Sequence, residues 1–146
     1  MDAERLLSEE DEAWREMTAV FEDVPPERFE EPTVTAEGWS PKDLMFHVAA
    51  WLDEASDVLD RERAGEPDPQ GMDTDVRNAG FFEISKTLDA DDIRSRLVSS
   101  RERMLRCWAA LDAATPNAWE WFDESGPLHY AEHVKDLRAW IGQGGP

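Results

Sequence analysis

The sequence predicts an all-α protein, a four-helix bundle of up-and-down topology. Apolar residues recur at spacings of three and four in four long stretches, which is the period of an amphipathic helix. No stretch shows the apolar–polar alternation of a half-buried strand. Helix start and stop signals bound the stretches, among them Val24-Pro25-Pro26, Ser40-Pro41 and Thr115-Pro116. Helices with one apolar stripe each bury it against one another, and four of them make a bundle. At 146 residues the chain is read as a single domain, 1–146, with 142–146 a frayed tail. Its seven Trp and 40% hydrophobic content exclude a disordered chain.

The first helix is expected over 3–23. Leu7, Glu10, Trp14, Met17 and Phe21 form its stripe, and Val24-Pro25-Pro26 stops it. Residues 24–39 read as a loop with a short turn at Glu27-Arg28-Phe29. The second helix is expected over 41–64. Ser40 is its N-cap, Pro41 its first helical residue, and Asp43 the acid of the first turn. Its stripe is Leu44, His47, Val48, Trp51, Ala55, Val58 and Leu59, and Gly65 to Gly71 is a loop by composition.

The third helical region is expected over 76–112, interrupted around 85–90. Val76 to Ile84 is its first piece. Asp89 caps the second, whose stripe is Ile93, Leu97, Ser100, Met104, Trp108 and Leu111. Asn117 to Gly126 reads as a connection. Its Trp119-Glu120-Trp121-Phe122 is unusually aromatic, so it is expected to pack over one end of the core. The last helix is expected over 127–141. Trp14, Met17, Leu44, Val48, Trp51, Leu97, Met104, Trp108, Leu137 and Trp140 are the expected buried residues.

The net charge of −19, from 34 acidic and 15 basic residues, argues against nucleic acid and anionic membrane as partners. Binding phosphate needs clustered Lys and Arg. No apolar run approaches the roughly 18 residues of a membrane span, and Met1-Asp2-Ala3-Glu4 lacks the pattern of a signal peptide. A cytoplasmic protein is expected. Cys107 is the single cysteine, so no internal disulfide forms. Lying among Met104, Trp108 and Leu111, it reads as a small buried apolar residue.

The chemistry centres on the three histidines of the chain. His129 and His133 lie at i and i+4, one above the other on a face that continues through Leu137, Trp140 and Ile141. His47 lies on the apolar stripe of the second helix. In an up-and-down bundle the second and last long helices run parallel, and all three histidines then fall within the first two turns at matching depth. The expectation is a divalent metal ion, zinc, nickel or iron, held by His47, His129 and His133. Three neutral imidazoles leave an open position, the pattern of a catalytic rather than a structural site. That position suits water or a thiolate. Asp136, close to His133, and Glu54, about 10 Å along the second helix from His47, are candidates for support or general-base roles. Trp119 and Trp121 are candidates for a pocket mouth. No Ser-His-Asp, Cys-His or phosphate-binding glycine motif is present.

Gly38-Trp39-Ser40-Pro41-Lys42-Asp43-Leu44-Met45-Phe46-His47-Val48-Ala49-Ala50-Trp51 resembles the second-helix signature of the DinB/YfiT-like superfamily. His129-Tyr130-Ala131-Glu132-His133 resembles its last-helix pair. The long third region, with Arg77-Asn78 at its head, is nearest the branch related to ClbS and DfsB. The resemblance covers about Trp14 to Ile141. It implies a four-helix bundle with the three-histidine metal site on His47, His129 and His133. It also implies thiol-dependent transfer or isomerisation with mycothiol, bacillithiol or glutathione, or hydrolysis of a small electrophile. Val134-Lys135-Asp136 stands where the family often carries a further His and Arg-Gly-Gln. Three readings follow. One is a metalloenzyme, hydrolase or thiol S-transferase, acting on a small electrophile. Another is a metal-free binding or ClbS-like protective protein. The third is a structural or homodimer-forming bundle stapled by the ion.

Overall fold

The computed structural model describes residues 2–66, 68 and 72–143. The helices are α1 (Ala3–Asp23), α2 (Pro41–Arg63), α3 (Thr74–Ser85), α4 (Ala90–Ala109), α5 (Pro116–Ser125) and α6 (Pro127–Gln143), with a single 3₁₀ turn at Pro26–Arg28. No strand occurs among the described residues. Parts of the expected loop at 65–71 and of the tail at 142–146 lie outside the described residues.

Side-chain caps set the starts. Asp2 accepts from Arg5 N, Asp73 from Val76 N, Asp89 from Asp92 N and Thr115 from Ala118 N. At α2 Ser40 and Asp43 form a full capping box with Pro41 inside it. Each cap satisfies a backbone N–H that the helix itself cannot.

The segment expected as a connection, Asn117 to Gly126, is mostly the helix α5. Thr115 caps it and Pro116 opens it. It has an inner stripe of Ala118, Phe122 and Ser125 at helical spacing, and Phe122 is fully buried 4.6 Å from the Trp108 ring. A ten-residue amphipathic helix is too short to form alone, so its stability comes from this packing.

The core is continuous across all long helices and contains eight of the ten expected residues. Trp14 and Trp51 are only half-buried. On α1 the expected stripe holds at Glu10, Met17 and Phe21, but Leu6 is buried where Leu7 was expected, and Leu7 is 39% exposed. Glu10, 1% exposed, stays inside because Arg101 grips both its oxygens (2.6 and 2.9 Å) and the Tyr130 hydroxyl donates to it (2.9 Å). A carboxylate is tolerated at such burial only when paired and hydrogen-bonded.

Paired contacts fix the helix directions. Lys42 reaches Leu88, Asp53 pairs with Arg96, Asp57 with Arg103, and Glu62 accepts from Thr115. Both numbers rise together, so α2 and α4 run the same way. Glu10 with Tyr130 and Glu16 with Arg138 show the same for α1 and α6. Trp140, near the end of α6, donates to Thr33 and carries Arg28 on its ring. The same loop is tied to the start of α2 by Lys42 N to Phe29 O. Thus α6 ends where α2 begins, and the two run antiparallel rather than parallel as simple alternation predicts. The cause is α3, which carries the chain back along α2: Arg77 meets Glu54, Asn78 meets Trp51, Phe81 meets Phe46 and Ser85 meets Asp43.

Candidate metal centre

His47 lies in the second turn of α2, on a start that is held from several sides. The capping box fixes Asp43, whose other oxygen accepts from Ser85 of α3, and the Lys42 ammonium donates to Leu88 O at 2.8 Å. His129 and His133 come from the first two turns of α6. The α5–α6 junction sets where those turns begin. Gly126 packs so closely there that a Cβ would lie 2.7 Å from the Phe122 carbonyl. Because α5 climbs back along the bundle for about 15 Å, α6 starts part-way along α2. That is how antiparallel helices bring the three histidines together without matching depth.

The Nε2 atoms of His47 and His129 are 3.0 Å apart, and those of His133 and His129 2.8 Å apart. All three residues are 8–9% exposed. An imidazole nitrogen has one in-plane direction for bonding, as donor or as acceptor. The Nε2 of His129 therefore cannot serve both neighbours. The buried Nδ1 of His47 has no hydrogen-bond partner among the described residues, while His129 meets the Ser125 backbone and the Nδ1 of His133 faces Asp136. Hydrogen bonding alone thus leaves buried polar atoms unmatched, which is costly. A tetrahedral ion on three ring nitrogens would separate them by about 3.3 Å at ordinary zinc–nitrogen lengths. Two of the spacings are slightly shorter than that and all three ligand atoms lie within 4.8 Å of one another, so the cluster could hold a metal ion.

Burial keeps the rings neutral, the form in which they ligate. It pushes His47 down to about 3, with the His133 charge adding to the effect. Burial also holds His129 well below its usual range, again with help from its two neighbours. His133 is lowered by burial against the opposing pull of Glu132 and Asp136.

Asp136 Oδ2 lies 3.6 Å from His133 Nδ1, longer than a hydrogen bond but placed to orient that ring. Glu54 is not brought to the histidines. It is bound to Arg77 at 2.6 Å and lines a separate depression with Asp57 and Arg61, and burial raises its pKa.

The histidines line a cavity of about 940 Å³ whose aromatic walls are Trp39, Trp51, Phe82 and Trp121. Trp39 stacks on Phe82 and meets His47 edge-on at 5.1 Å. Trp121 is at the cavity as expected, but Trp119 instead packs on Trp108 at 5.8 Å. Asn78 and Phe82 on α3, and Glu132 beside the histidine pair, also line the cavity and escaped the sequence reading. The spacing of Asn78 and Phe82, one turn apart on a short helix, was the available signal.

A family model, the mycothiol maleylpyruvate isomerase N-terminal domain, matches residues 11–140. The crystal structure of an uncharacterised protein from Escherichia coli UTI89 matches with a TM-score of 0.80 at 14% identity, covering 94% of this chain and 91% of that one. At that identity the likeness shows the fold. Among curated proteins none matches.

Proposed function

Because the chain belongs to the mycothiol maleylpyruvate isomerase N-terminal domain family, within the DinB/YfiT-like superfamily, we propose that it is a metal-dependent enzyme using a low-molecular-weight thiol on a small electrophile. The observation that carries the reading is the convergence of three buried Nε2 atoms on the wall of a large aromatic cavity. His47, His129 and His133 would hold the divalent ion, with zinc, nickel and iron all suited to three imidazoles. Bound there, the ion would lower the pKa of a thiol or a water at its open position. Asp136 orients His133 from outside. Trp39, Trp51 and Trp121 hold the apolar part of the substrate and exclude water from the histidines. The Asn78 side chain fixes the Trp51 indole by accepting from its N–H at 2.7 Å. Such thiols are intracellular, which agrees with a cytoplasmic protein.

Water in place of the thiol gives a hydrolase, the nearer alternative. A metal-free binding or protective protein is the other, favoured by the same aromatic walls. Elemental analysis of the protein as purified separates the last from the first two. Turnover of an electrophile such as monochlorobimane with mycothiol, bacillithiol or glutathione, against a thiol-free control, separates transferase from hydrolase. No described helix is long and apolar enough to cross a membrane.

A further inference from the structure

The lining of the histidine cavity is one-signed. Glu37, Asp75, Glu120, Glu124 and Glu132 all border it, and no Lys or Arg does among the described residues. The residues outside the description include no Lys or Arg either. Among the described residues none of the five is paired with a Lys or Arg, and Glu132 acts on His133. The basic side chains of α3 and its C-cap are engaged elsewhere: Arg77 with Glu54, and Lys86 with Glu83 and the outer face of Phe82. Five carboxylates outweigh even a bound divalent ion, so the cavity stays negative in either state. Its walls are aromatic faces, which attract cations through their quadrupoles. His129, nine-tenths buried in the same wall, has an Nε2 that lies between His47 and His133 and cannot be matched to both.

We propose that this cavity selects an organic cation, a small molecule with a planar apolar body and a positively charged amine or quaternary ammonium, and repels carboxylates. The apolar body lies against Trp51 and Trp121, and the charge faces Glu120, Glu124 and Glu132. A negative cleft with low-dielectric walls concentrates cations and depletes anions. This deepens the function proposed above, since it rests on the cavity being the substrate site, and among the thiols named there it favours mycothiol, which carries no carboxylate, over bacillithiol and glutathione, which do. It does not depend on whether an ion is bound.

The test uses three probes of one shape: benzyltrimethylammonium, benzyl alcohol and phenylacetate. Each is titrated into the full chain, as purified and after EDTA treatment, with quenching of tryptophan fluorescence as the signal. The quaternary ammonium cannot ligate a metal, and the EDTA arm prevents the carboxylate from doing so. In that arm the expected order is cation, neutral, anion, with about ten-fold between the extremes at ~20 mM salt. The gap should shrink to about two-fold at ~500 mM salt. Glu120→Gln, Glu124→Gln and Glu132→Gln together, all exposed positions, should close most of it at low salt. Phenylacetate binding as tightly as the cation without metal, no binding by any probe, or a gap unmoved by salt and by the triple substitution would each overturn the proposal. Metal content is measured on the same samples. A protein that binds no metal yet ranks the probes as expected sinks the metal reading alone, and the reverse result sinks only the charge selection.

Discussion

The Nε2 atoms of His47 and His129 lie 3.0 Å apart although 82 residues separate them in the chain. Their meeting depends on the α5–α6 junction, where Gly126 leaves no room for a side chain. Gly126→Ala should therefore weaken metal binding by about ten-fold or more while the helix content is kept, because a displacement of under an ångström is enough to spoil ligand convergence. Metal titration alongside far-UV circular dichroism checks this. Unchanged affinity in the variant would mean that the junction does not position α6.

Glu10 and Arg101 form the most deeply buried ion pair described here. Arg101→Ala leaves a carboxylate inside the core without its partner and should cost about 3–5 kcal/mol. Tyr130→Phe removes one hydrogen bond from the same carboxylate and should cost about 1 kcal/mol. Urea unfolding measures both. Equal, small losses would show that Glu10 is solvated in solution.

Phe122→Ala should cost about 3–5 kcal/mol, as a fully buried aromatic against Trp108. Trp51→Ala should cost less, about 1–3 kcal/mol, because Trp51 is only partly buried and lines the cavity. Its larger effect should be on ligand binding. The reverse order of stabilities would contradict the placement of α5 in the core.

In EDTA the protein should lose stability as pH falls from about 6.5 towards 3. Burial lowers the folded-state pKa of the histidines, to about 3 for His47. Between that value and the ordinary one, the unfolded chain binds more protons than the folded one. The stabilisation is therefore present above the unfolded pKa and is lost with acid. Melting curves at pH 7 and pH 5 test it, a window above most carboxylate titration. His47→Gln, His129→Gln and His133→Gln together should flatten the dependence. A Tm independent of pH in the parent would show that the rings are not buried neutral.

The helices were legible because their periods and caps are local. Ser40-Pro41-Lys42-Asp43 announces α2 by itself, and Asp89 announces α4. The histidine cluster was legible for a related reason: His129 and His133 share a face by spacing alone, and His47 sits on a stripe. What the sequence hid was long-range. Nothing near Leu6 or Leu7 says which one turns inward; that is settled by α6 and α4 on the far side of Glu10. The return path of α3 reverses the expected relation of α2 and α6, and no local pattern encodes it. Glu54 shares a helix face with the site, but Arg77 captures it from another helix. Pro116 and Gly126 frame the segment 117–126 like a connection. Its burial against Trp108 is what makes it a helix.

Three imidazoles from α2 and α6 are proposed to hold one ion. The most direct measurement is isothermal titration of zinc into the EDTA-treated, dialysed full chain and into His133→Ala, with circular dichroism on both. One ion per chain is expected for the parent, with affinity lower by at least about 100-fold in the variant and helical content unchanged. An unaltered zinc affinity in His133→Ala, or no stoichiometric binding by the parent, would contradict it.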